Sequence, residues 1–153
     1  MTDVDLAAAA MMLDCEGCLS VSPYVQAGRT RFHCDIFVGM QNRAVLEFFQ
    51  QVVRVGSISR RSDCWMYQTS GAKAARAVKM LLPYLRVKRE AASLFVEFAA
   101  TFNSHGQKPT PTDVVEKRHD LSKRIRAFMK ADSLSFRSTE LLAVEDDPAV
   151  TNA

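Results

Sequence analysis

Ala9-Ala10-Met11-Met12-Leu13-Asp14-Cys15-Glu16-Gly17 is the stretch on which the reading of this chain turns. A helix of small and apolar residues closes on an acid, one intervening residue, a second acid and a glycine, and an apolar segment follows at once. Upstream, Thr2 or Asp3 can cap a helix running from about Asp3 to Leu13. Its interior, Ala7 to Ala10, favours helix and leaves little side chain to hold a neighbouring helix away. Glu16 is out of place on electrostatic grounds, because negative charge at a helix C-terminus is unfavourable. A residue kept against that cost has a reason to be there.

Working outward, Gly17 ends the helix, Leu19 to Gln26 reads as a strand, and Ala27-Gly28 as a turn. The return strand, Arg29 to Met40, alternates sharply. Phe32, Cys34, Ile36 and Val38 fall on one face; Arg29, Arg31, His33 and Asp35 fall on the other. Asn42 can cap a helix over Arg43 to Val53 with a broad apolar stripe. Ser57 to Arg61 and Cys64 to Thr69 read as two more strands around a Ser62-Asp63 turn. A helix over Ala72 to Leu82 is broken by Pro83, and another runs from about Val87 to Phe102. Asn103 to Thr112 reads as a loop, Asp113 to Lys130 as a polar helix, and residues 131–153 as an acidic, partly disordered tail after a single domain over 1–130. The order is that of an α+β fold, with helices on one face of an antiparallel sheet.

The chain has 153 residues, 48% of them hydrophobic, enough for one core. Leu6 to Leu13 falls well short of the roughly 20 apolar residues a membrane span needs, so a soluble, intracellular protein is expected, cytoplasmic or nucleoid, with an organelle also open. The net charge of +3 hides an uneven distribution: from Ser20 to Arg89 there are twelve basic residues against three acids. Such a basic middle suits a polyanion. Four cysteines fit a reducing compartment. Cys15-x-x-Cys18 with Cys34 and Cys64 suggests a zinc site on paper, but Cys34 lies on the apolar strand face and Cys64 has no second cysteine nearby, so free cysteines are expected.

The opening stretch resembles the LAGLIDADG motif, in pattern more than in letters. Three further segments resemble the same homing endonuclease family: Val38 to Ile58 (VGMQNRAVLEFFQQVVRVGSI), LLPYLRVKREAA within Ser70 to Ala92, and EKRHDLSKRIRAFM from Glu116 to Met129. The resemblance covers roughly Leu6 to Lys130. It implies an αββαββα core with a four-stranded saddle sheet and extra C-terminal helices. With one motif per chain, it implies a homodimer paired through the motif helices by Ala7, Ala10, Met11 and Asp14. The activity implied is cutting of double-stranded DNA at a long, nearly palindromic site with a divalent metal, Mg²⁺ by preference, as in intron homing.

Residue by residue, the resemblance makes Glu16 the metal-binding carboxylate and the Cys15 carbonyl a second ligand. Asp14 becomes a structural group near the paired helix ends, and Lys88 the lysine beside the scissile phosphate. The polar residue that many members hold near the second strand's end has no clear counterpart, since Val38 and Gly39 stand there; Gln41 is the nearest substitute. The saddle would read the major groove through Ser22, Tyr24, Gln26, Arg29, Arg31, His33 and Asp35, extended by Ser57, Ser59 and Arg61, with Tyr67 as a further candidate. Two rival readings stand beside the nuclease: a catalytically degenerate DNA-binding protein or intron RNA maturase of the same fold, and an unrelated α+β protein with a chance motif.

Overall fold

The computed structural model describes residues 1–102 and 110–143, with side chains to residue 131. Most of the expected loop, and residues 144–153 of the expected tail, lie outside the described residues.

Helix α1 (Asp3–Glu16) opens with a capping box: Thr2 Oγ1 accepts from the Asp5 amide at 3.2 Å, and Asp5 Oδ2 accepts from the Thr2 amide at 2.7 Å. That bond to the Thr2 backbone holds the Asp5 carboxyl below its ordinary pKa. The helix runs two residues past the acid of Asp14 and hands over to strand β1 (Gly17–Gln26) without a loop. Glycine is required at this junction, because a Cβ on Gly17 would run into Leu13 of the preceding turn. Strand β2 (Arg29–Met40) returns antiparallel through Ala27 and Gly28, both at positive φ. Helix α2 (Arg43–Val53) is capped by Asn42, whose Oδ1 accepts from the Ala44 amide at 2.9 Å.

Strands β3 (Ser57–Arg61) and β4 (Cys64–Ser70) form the second hairpin. The sheet order is β1-β2-β4-β3, antiparallel throughout. Pro23 is exposed on β1, an edge strand, where its missing N–H costs no ladder bond. Gly56 approaches the core so closely that a Cβ there would sit 2.6 Å from the Tyr67 ring, and its φ of +85° suits glycine besides.

Helices α3 (Gly71–Leu81), α4 (Arg89–Ala100) and α5 (Thr112–Ala143) complete the order. All five helices pack on one face of the sheet, with Leu13, Ile36, Val38, Phe49, Phe95 and Phe98 fully buried between the layers. α5 lies against α4 and β1, and Ser122 Oγ donates to the Val21 carbonyl at 3.0 Å, pinning it to the sheet edge. The helix read as ending at Lys130 continues to Ala143, because no glycine or proline stands between Lys130 and Ala143 to stop it. Among the described residues, no helix is long and apolar enough to cross a membrane.

Candidate nucleic-acid interface and metal centre

The strand register decides which side chains share the open face of the sheet. Gln26, Tyr24, Ser22 and Ser20 of β1 stand opposite Arg29, Arg31, His33 and Asp35 of β2. These are the residues that alternate with buried Val21, Phe32, Cys34 and Ile36, so they point away from the helices. Arg29 and Arg31 are exposed, and the Tyr24 and His33 rings stack at 4.1 Å with 17° between their planes. Across the other hairpin, Ser57, Ser59 and Arg61 of β3 face Gln68, Met66 and Cys64 of β4. All the expected reading residues but one are thus brought onto one surface.

The exception is Tyr67. It is fully buried, its ring stands edge-on to Phe49 at 4.9 Å, and its hydroxyl donates to the Val55 carbonyl at 2.9 Å. Burial pushes its pKa up to about 12. Tyr67 is a core residue that fixes the bend before β3, and its neighbour Gln68 is the β4 side chain on the open face, paired in register with both Phe37 and Ser57.

At the end of α1 the two acids go to opposite sides. Asp14 is 4% exposed and turns inward, where Oδ2 accepts from the amides of Arg86 at 2.7 Å and Val87 at 3.2 Å, and Oδ1 from the amide of Lys88 at 2.8 Å. It caps the turn that starts α4 within its own chain, a structural group bonding backbone at the end of the motif helix. The Lys88 ammonium reaches back to the Asp14 carbonyl, one of the outward carbonyls of the last turn, and so balances the negative end of the helix dipole. Lys88 is only 3% exposed. It stands at the acidic end of α1, behind the surface rather than on it.

Glu16, by contrast, is exposed. The Gly17 amide bonds the Leu13 carbonyl and Lys88 holds that of Asp14, so the next carbonyl along the open end is that of Cys15. Gln41 is exposed on the bend just past β2. Val38 is buried and Gly39 contributes no side chain to the open face, so neither places a polar side chain at the expected position. Among the described residues, no group of three or more histidine, cysteine or acidic side chains could hold a metal. That does not conflict with a hard divalent cation, which keeps several waters and takes few protein carboxylates; one chain offers Glu16 and a backbone oxygen. The four cysteines are not gathered into one group among the described residues: Cys34 is buried, its thiol pushed up to about 12 by burial with Asp35 nearby, while Cys15 and Cys18 are exposed.

The second face of α1 is bare. Val4 is 76% exposed and Met11 56%, and with Ala7, Ala8 and Cys15 they form one stripe at helical spacing. Ala10, expected in this contact, is fully buried in the chain's own core; Ala8 takes its place on the outer stripe.

No protein-family model matches the sequence, and no curated protein matches it either. Solved structures do. The homing endonuclease I-CvuI, in complex with an uncleaved DNA target in the presence of Mg, aligns over 82% of this chain and 82% of its own at a TM-score of 0.73 and 17% identity. The archaeal intron-encoded homing endonuclease I-Vdi141I, complexed with DNA, aligns over 82% and 84% at 0.73 and 17%. The LAGLIDADG homing endonuclease I-GzeII, in complex with its DNA target, aligns over 76% of this chain but 43% of its own, at 0.68 and 14%. Identities this low speak for architecture alone, and the architecture they speak for is the LAGLIDADG homing endonuclease fold.

Proposed function

We propose that the chain is a site-specific endonuclease that hydrolyses phosphodiester bonds of double-stranded DNA with a divalent metal, acting as a homodimer. The observation that carries this reading is the position of Glu16: an exposed carboxylate where the bare stripe of α1 meets the start of β1 and so the open face of the sheet. A twofold pairing along that stripe brings together two copies of Glu16 with the two reading surfaces on either side. The lengths agree, since this chain matches 82% of I-CvuI but 43% of I-GzeII, which has room for two such units in one chain.

Each residue then has a task. Glu16 and the Cys15 carbonyl hold the metal, and hard oxygen donors of this kind favour Mg²⁺. The metal would activate water and steady the leaving oxygen. Lys88, locked on the Asp14 carbonyl, keeps a positive charge close to the acidic end, where it offsets the repulsion between carboxylate and phosphate. Gln41, exposed on the bend just past β2, would orient a water. Arg29, Arg31, Gln26, Ser22, Ser57, Ser59, Arg61 and the Tyr24–His33 stack, with Gln68 added, read base edges in the major groove.

A second reading has a specific observation behind it. The burial of Lys88 and the lack of a side chain at Gly39 favour a catalytically degenerate DNA-binding protein or intron RNA maturase of the same fold. Incubation of a randomised duplex library with Mg²⁺, against an EDTA control, separates the two. Metal-dependent cuts at one long, nearly palindromic site are expected. Selective duplex binding without cutting would hand the case to the degenerate binder, and selectivity for structured RNA alone to the maturase.

A further inference from the structure

A second feature adjoins the open face of the sheet and shares His33 and Asp35 with it. β4 pairs with β2 only from Asp35 onward toward Met40, because Ser70 gives way to α3 at Gly71. From Arg29 to Cys34, β2 therefore pairs with β1 on one side and, among the described residues, with no strand on the other. Against this free edge lies a cavity of about 640 Å³, within the ~300–1,000 Å³ range of ligand pockets.

The cavity has a firm apolar wall and a basic rim. Phe32 stands edge-on to Phe98 at 5.6 Å and to His119 at 5.0 Å, and Phe102 is held between Phe98 at 5.3 Å and the Arg118 guanidinium at 4.4 Å. Ala99 of α4 leaves space between them. On the α3 side, Arg76 and Lys79 line the opening and make no hydrogen bond or ion pair among the described residues. Asp35 is the only carboxylate in the lining.

We infer that this is a docking site for an extended, acidic and apolar peptide segment of a partner protein, which adds a strand to the free edge of β2 and seats one apolar side chain in the cavity. An unpaired strand edge selects an extended backbone, since it offers amides and carbonyls in ladder spacing. Six residues of β2 span about 20 Å, the length of a short strand. In such a strand alternate side chains point to the helical side, where the aromatic wall receives an apolar group. Arg76 and Lys79 beside it favour carboxylates flanking that anchor. Duplex DNA has neither a strand-like backbone nor an apolar anchor to offer, and the open face of the sheet already suits it.

The probe is a hexapeptide labelled at its N-terminus, fluoresceinyl-Glu-Val-Phe-Val-Asp-Glu-amide, followed by fluorescence anisotropy against the full chain. Saturable binding is expected. Methylation of alternate peptide amides should abolish it, Lys79→Glu should raise Kd about tenfold or more, and Ala99→Trp should fill the cavity and remove binding, each variant melting like wild type. As a second route, should Ala99→Trp misfold, Val96→Phe narrows the same cavity from the neighbouring turn. Absence of saturable binding overturns the inference, as does undiminished binding of the methylated peptide, which would mean no strand is added. Loss of duplex affinity in Lys79→Glu would assign the rim to DNA instead. Self-association of wild type that Ala99→Trp removes would assign the edge to a second copy of this chain.

Discussion

The inner and outer faces of α1 differ in what the chain provides for them. Inward, Leu6, Ala9, Ala10, Leu13 and Asp14 find neighbours within the same molecule, down to three backbone amides for one carboxylate. Outward, Val4, Ala7, Ala8, Met11, Cys15 and Glu16 face solvent. One helix thus has a finished side and an unfinished side, and the two acids two residues apart belong to different ones. Asp14 is tied into the fold by three amides, and Glu16 carries the proposed chemistry. Apolar groups in a row on an exposed helix face suit the proposed pairing of two chains.

The largest effect that tests this division is on cutting. Glu16→Gln should abolish metal-dependent cleavage while leaving the melting temperature and duplex affinity unchanged; cleavage at the wild-type rate would remove Glu16 from the metal centre. Next comes Asp14→Ala, which strips the acceptor from three amides in a buried turn. It should cost about 3–5 kcal/mol in a urea melt, and a cost below about 1 kcal/mol would place Asp14 on the outer side after all. Met11→Arg should leave monomer stability within about 0.5 kcal/mol, since the side chain is exposed, yet convert the dimer to monomers in sedimentation analysis. A dimer that persists would show that the outer stripe is not the contact. The smallest effect is expected on the sheet: Arg31→Ala should weaken or relax recognition by about 1–3 kcal/mol if its guanidinium meets a base edge.

What could be read from the sequence follows the same division. The β2 alternation separates its two faces, so the first hairpin and the side chains of its open face were legible from the pattern of polar and apolar residues, while their expected reading role came from the family resemblance. In Cys64–Ser70 apolar or aromatic residues fall on both faces, so facing depends on register, and Tyr67 and Gln68 could not be told apart without the partner strands. Four successive alanines carry no marker of direction, so Ala7 and Ala10 look equivalent on paper although one is exposed and the other buried. Asp14 and Lys88 meet 74 residues apart, and no local pattern announces that bond. Glu16 was legible because its position is locally unfavourable, and residues at odds with their surroundings are the ones a sequence gives away.

The Asp14 clasp also sets an order of events in synthesis. The amides that lock the end of α1 lie 72 to 74 residues downstream, beyond all four strands. A growing chain carries its acidic motif for that whole interval, and completes its sheet at Ser70, before the turn at Arg86 to Lys88 emerges to hold the end of α1. The end of α1 beside Glu16 therefore acquires its clasp only after all four strands, and with them the surface that would hold a nucleic acid, have been made.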